Sequence, residues 1–225
     1  NSSGTTLTNS NTALFTLTGG VVGTGNLVLN NNSTTANGIT LSTTSVNNTG
    51  TITNSGSGTG NSLISAVIGT NVTGVIQNST TSGLTLSGNN TYSSGTTIRA
   101  GTVTGLTSAN AFGTGTITIG HTSGSTAATL LIGTDALTYA NAIVLATGTT
   151  GTLTIGNTGT AISTTFSGGV TGTNNLTINS NATTGTLTFS TAALNNTGTI
   201  TNSGAGSGTT TISDAIGSNV TAITA

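Results

Sequence analysis

Three side chains, His121, Asp135 and Asp214, supply all the acid, base and metal-ligand chemistry available in 225 residues, and Arg99 is the only fixed positive charge. Glycosidic cleavage needs a pair of carboxylates, or a carboxylate and a base, converging on one bond. Here the two Asp are 79 residues apart (214 − 135), with no Glu or Lys to assist. A His/Asp metal site would need more ligands than the chain possesses, and with no Cys thiolate sites and disulfides are excluded. Calcium capture of the repeat-toxin kind requires an acidic residue in each Gly-rich turn, and none of the Gly-rich turns carries one. The expectation is therefore a protein that is not an enzyme, with no catalytic, cofactor-binding or metal-binding residues and no cofactor. His121, Asp135 and Asp214 read as solvated loop or edge positions. Arg99, directly after Ile98 in an alternating run, is expected to point outward, and Tyr92 and Tyr139 read as corner or stacking residues rather than ligand platforms.

Charged residues make up 1% of the chain and the formal net charge is −1. Such a surface has no field to hold a polyanion, so nucleic acid is not an expected partner. It also has little colloidal repulsion and nothing to blunt exposed strand edges, which favours self-association. Interactions should respond weakly to salt and pH. No stretch approaches the length of an apolar membrane span, and no signal peptide is visible. The sequence starts at Asn1 rather than Met, which is the expectation for a processed product or a fragment.

The elements that must carry these residues show a two-level repeat. At the long level, residues 21–76 match 170–223: NNTGTITNSG at 47–56 recurs identically at 195–204, and Ile64, Ile68 and Val72 recur as Ile212, Ile216 and Val220. The chain thus reads as a single continuous rod spanning residues 1–225, with about one and a half copies of a unit of roughly 148 residues. At the short level, apolar residues alternate with Thr in runs such as Leu27/Leu29, Ile39/Leu41, Leu84/Leu86, Ile117/Ile119 and Leu153/Ile155, each bounded by Gly, Asn or Ser. Period-two alternation between turn residues specifies short strands. Leu27, Ile52 and Val75 are separated by 25 and 23 residues, and Ile39, Ile64 and Leu84 by 25 and 20. Coils of 20–25 residues are the length of one turn of a β-solenoid, and nine or ten of them would rise roughly 45 Å at about 4.8 Å each. Inward Ile, Leu and Val would form aliphatic ladders, enough for a narrow core even at 32% hydrophobic content. Gly and the pairs Asn47-Asn48, Asn89-Asn90 and Asn195-Asn196 are expected at corners, where φ > 0 is often needed and Asn side chains can bond along the axis.

Residues 84–103, LTLSGNNTYSSGTTIRAGTV, followed at 108–119 by SANAFGTGTITI, resemble the autotransporter-associated β-strand repeat. The matching positions are Leu84, Leu86, Gly88, Asn90, Tyr92, Gly95, Thr97, Ile98, Gly101, Ala111, Phe112, Gly113, Gly115 and Thr116. Phe112 stands where that family usually has Leu, and Val103-Thr104-Gly105 is less regular than its strand. The resemblance implies an all-β, right-handed parallel β-helix in a large extracellular or bacterial cell-surface protein, commonly a passenger region, and marks scaffold rather than activity. Two functions follow as expectations. The first is a structural stalk, surface layer or self-assembling filament built by axial stacking of coils, with the chain itself as partner. The second is an adhesin or binding module that recognises a glycan or host surface through a segment breaking the coil rhythm, for which residues 121–141 with Tyr139 are the candidate.

Outward Thr arrays can order water and bind ice. Thr-x-Thr tripeptides appear in strands starting, for example, at Thr51, Thr116, Thr152, Thr186 and Thr199, whose spacings of 65, 36, 34 and 13 residues do not set one on the same face of every coil. Strand propensity accounts for the Thr content.

Overall fold

The computed structural model describes residues 4–159 and 161–225, and every regular element in them is a β-strand. All strand pairings are parallel and link one coil to the next, which makes the chain a parallel β-solenoid. One ladder can be followed through the whole rod: Thr5, Leu27, Ile52, Val75, Thr96, Ile117, Ile143, Val170, Leu194 and Ile216 stand in direct register. Ten rungs at about 4.8 Å give a rod of roughly 43 Å. A second sheet stacks Phe15, Ile39, Ser62, Leu84, Val103, Leu130, Ile155 and Ile178 in the same manner. A third sheet closes the later coils through the strands Leu137–Tyr139, Thr164–Phe166, Thr186–Phe189 and Thr209–Ile212.

Alternation places the apolar residues inward. Leu27, Ile52, Val75, Ile117, Ile143, Val170 and Leu194 are at most 1% exposed, while their Thr neighbours stay partly solvated. Each such side chain contributes about 1.5–3 kcal/mol by leaving water, so a one-residue-wide column sustains every coil. Thr96 occupies a rung of this column, and its hydroxyl is satisfied there: Tyr92 Oη lies at 2.7 Å and the Phe112 carbonyl accepts at 3.1 Å. In the third sheet the column turns aromatic, with ring centroids 5.2 Å apart for Phe112–Tyr139, 5.8 Å for Tyr139–Phe166 and 5.6 Å for Phe166–Phe189.

Two registers differ from the sequence expectation. Ile39 pairs with Ser62, and it is Leu41 that meets Ile64. A shift of two residues keeps every side chain on its own face, so alternation alone could not choose between the two. Coil lengths also spread more widely than 20–25 residues. Leu84 to Val103 is the shortest step at 19, and Gly101 to Ala128, Leu137 to Thr164 and Ile143 to Val170 are the longest at 27. The short coil has no corner loop: strand Thr96–Gly105 runs from the first sheet into the second, turning at Gly101, whose φ is 72°.

The Asn pairs work through their side chains and not through left-handed backbone. Positive φ outside glycine falls instead at residues such as Asn37, Thr43, Thr107 and Thr191. Asn47 Oδ1 accepts from Asn71 N, Asn195 Oδ1 from Asn219 N, and Asn90 Oδ1 from Ile68 N, each bond joining two coils. A further set of buried amides fastens the corner between the first two sheets. Asn9 Nδ2 donates to the Gly38 carbonyl, Asn31 Nδ2 to Gly60, and Asn54 Nδ2 to Ser82. Each carbonyl also accepts a second bond, from Phe15 N, Ser82 Oγ and Gln77 Nε2 respectively, so the amide completes a buried polar corner that an aliphatic residue would leave short of a donor.

The long repeat does not close on whole coils. Leu27, Ile52 and Val75 are rungs of the first sheet, whereas their equivalents Leu176, Ile200 and Ile223 are rungs of the second. Val170, Leu194 and Ile216, the equivalents of Val21, Val46 and Ile68, in turn complete the first-sheet ladder. The second copy therefore begins six coils and one face after the first.

Candidate functional site

Asp135 and Asp214 stand apart. Asp135 precedes the strand Leu137–Tyr139 and Asp214 follows Thr209–Ile212, three coils further on, or roughly 14 Å along the axis. Each carboxylate is engaged by backbone: Asp135 Oδ1 accepts from Ser163 N at 2.7 Å and Asp214 Oδ1 from Ala215 N at 2.6 Å. The described residues contain no group of three His, Cys, Asp or Glu placed to hold a metal ion. Tyr92 and Tyr139 are both fully buried, and burial pushes both phenols far above their usual range, the bond from Tyr92 to Thr96 only partly opposing it. Tyr139 lies inside the aromatic column and offers no surface for a glycan, so the 121–141 segment cannot act through it.

Arg99 and His121 do come together. Arg99 points outward from strand Thr96–Gly105, between inward Ile98 and Ala100. It is the extra residue of a β-bulge, because Gln77 pairs with Ile98 and Asn78 with Ala100, leaving Arg99 unmatched on the preceding coil. Bulges bend a strand and re-aim the side chain they carry. On the following coil Ile98 pairs with Ile119, so Gly120 lies next to Arg99, and Ala146 comes after it in the same direction. Neither fills the space. The result is a surface depression of about 160 Å³ with Arg99 and His121 in its wall and the hydroxyl-bearing Thr97, Thr118 and Thr122 around them.

His121 lies late in the 27-residue coil from Gly101 to Ala128, in the connection between strands Ile117–Ile119 and Ala128–Ile132. Its Nδ1 is 3.2 Å from both the amide nitrogen and the carbonyl oxygen of Ser123, which leaves Nε2 as the ring nitrogen free for a ligand. Among the described residues the Arg99 guanidinium has neither a hydrogen-bond nor an ion-pair partner. An unneutralised guanidinium, a free imidazole nitrogen and several hydroxyls can receive an anion; they provide no carboxylate for acid–base work. Sequence reasoning weighed Arg99 and His121 separately and missed their meeting. The signal was their 22-residue separation, one more than the 21-residue coil from Ile98 to Ile119.

The Thr-x-Thr tripeptides distribute over all three sheets, with 51–53 and 116–118 in the first, 152–154 and 199–201 in the second and 186–188 in the third. One outward column nevertheless consists of Thr alone: Thr102, Thr129, Thr154, Thr177, Thr201 and Thr224 are in register. Its flanking positions on the same strands are mixed, Thr104 giving way to Leu131, Gly156 and Asn179, so the hydroxyl order is one residue wide.

No family model, curated protein or solved structure matches this chain. Among the described residues, no helix is long and apolar enough to cross a membrane.

Proposed function

We propose that the chain is an extracellular structural protein, a β-solenoid rod that serves as a stalk, surface layer or filament by axial stacking of coils. The observation that carries this reading is the unbroken ladder from Thr5 to Ile216, in which each coil meets the backbone requirements of the next around the same narrow interior. Cohesion of this kind depends on main-chain bonding and apolar contact, not on ion pairs, and suits a load-bearing or protective role. The nearly uncharged Thr/Ser/Asn exterior and the resemblance of residues 84–119 to surface-protein repeats support the extracellular setting.

The first and last described coils carry exposed apolar residues, Leu14 and Phe15 beside one strand edge and Ile216 and Ile223 beside the other, Leu14 and Ile223 being 57% and 55% exposed. A further coil, of the same chain or of a second copy, covers such an edge by the bonding that joins the coils within the rod. Because the long unit advances by six coils and one face, successive units display equivalent surfaces on successive sheets, and a feature of the unit winds around the rod.

Electron microscopy of the chain across a concentration series tests the assembly reading. Rods whose lengths grow in steps of about 43 Å are expected. Dispersed particles of one length at the highest concentration would overturn it.

A further inference from the structure

We propose that the depression at Arg99 and His121 is a binding site for the carboxylate of an acidic sugar, presented by a larger glycan. This rests on no assumption about axial assembly.

Three independent features converge on the same spot. In a chain with one Arg and one His, both line a single depression, delivered by consecutive coils. The second feature is the bulge that leaves Arg99 unmatched on the preceding coil. The two other register shifts, at Gly50/Thr51 and Gly198/Thr199, fall at glycines in equivalent positions of the long repeat and single out no charged side chain. The third feature is the lengthened coil, which carries His121 to the rim at the point where Gly120 and Ala146 leave room.

Size and chemistry select the ligand. A volume of about 160 Å³ is well below the roughly 300–1,000 Å³ of a small-molecule pocket, so it takes one charged group and part of the ring bearing it. The guanidinium fork matches a planar carboxylate with two parallel bonds. The imidazole Nε2 and the hydroxyls of Thr97, Thr118 and Thr122 are complementary to the ring oxygen and hydroxyls of a sugar. A protein carboxylate is disfavoured because protein partners bind through apolar or aromatic anchors. The exposed large apolar residues, Leu14, Phe15, Val22, Val67, Ile216 and Ile223, are not in the wall of this depression.

Amide chemical shifts of the full chain, titrated with methyl β-glucuronide, methyl β-glucoside and sodium sulfate, test the proposal. The glucuronide is expected to move the amides of Thr97, Arg99, Gly120 and His121 with millimolar saturation, and the neutral glucoside to leave them in place. Arg99→Gln should weaken glucuronide binding at least about tenfold, and Arg99→Lys, which keeps the charge but not the fork, by several-fold, both with nearly unchanged melting since among the described residues the Arg99 guanidinium makes no hydrogen bond or ion pair. Equal shifts with the glucoside, or undiminished binding by Arg99→Gln, would overturn the site. Sulfate binding as tightly as the glucuronide would overturn the sugar assignment and leave a plain oxyanion pocket.

Discussion

The identical peptides at 47–56 and 195–204 allow one substitution to be made twice in the same local sequence. Asn54 and Asn202 occupy equivalent positions within them. Asn54 is fully buried: its Nδ2 donates to Gln77 Oε1 at 2.8 Å and to the Ser82 carbonyl at 2.7 Å, and its Oδ1 accepts from Ser62 Oγ at 2.9 Å. Asn202 is exposed, and its Oδ1 accepts from Thr210 Oγ1 at 3.2 Å. Asn54→Ala removes three buried bonds and orphans Ser62 Oγ and Gln77 Oε1, whereas the Ser82 carbonyl keeps Gln77 Nε2 as donor. Two stranded buried groups at about 1–3 kcal/mol each give a loss of about 2–6 kcal/mol. Asn202→Ala loses one exposed bond and should cost less than about 1 kcal/mol. Solenoids need not unfold in a single step, so native-state hydrogen exchange is the better assay, with the free energy read at the amides of Ile52, Ile64 and Val75 for the first variant and Ile200 and Ile212 for the second. Equal costs at the two sites, or less than about 1 kcal/mol at Asn54, would refute the claim that the corner amide is fastened by its neighbouring coil.

Other outcomes follow from the same geometry. The Tyr139 hydroxyl is buried without a partner, so Tyr139→Phe should keep the stack of Phe112, residue 139 and Phe166 and raise the denaturation midpoint by the equivalent of about 1–3 kcal/mol; a lower midpoint would contradict the packing. Both phenols ionise less readily when folded than when unfolded, so their stabilising contribution is complete below pH 10.0, the ordinary phenol value, and is lost as pH rises beyond it. Melting measured from pH 9 to 12 should decline by up to about 1.4 kcal/mol per pH unit for each Tyr, and the Tyr92→Phe/Tyr139→Phe pair should flatten the decline. Gly101→Ala places a methyl group against the Ser79 carbonyl at a residue with φ of 72°, and should cost about 3 kcal/mol or more, read as a lower melting temperature with early exchange in strand Thr96–Gly105. Raising the salt from 0.05 to 1 M should leave the melting temperature of the unmodified chain nearly unchanged, because among the described residues no ion pair contributes.

The architecture was legible because it is local. Thr alternating with Ile, Leu or Val assigns each side chain to the interior or to water within a few residues, and turn residues at close spacing set coils of about 23. Burial of Leu27, Ile52 and Val75 as consecutive rungs, the outward direction of Arg99 and the stacking of Tyr139 were all readable on that basis. Which residue meets which was not local. It depends on accumulated loop lengths, and one corner made by Gly101 without a loop, or one lengthened turn after His121, shifts everything beyond it. Tertiary structure alone therefore set Leu41 against Ile64, turned the second repeat copy by one face, and brought Arg99 to His121. Sequence determines the faces of a strand through the geometry of its own backbone; neighbours across coils are decided by the length of chain between them.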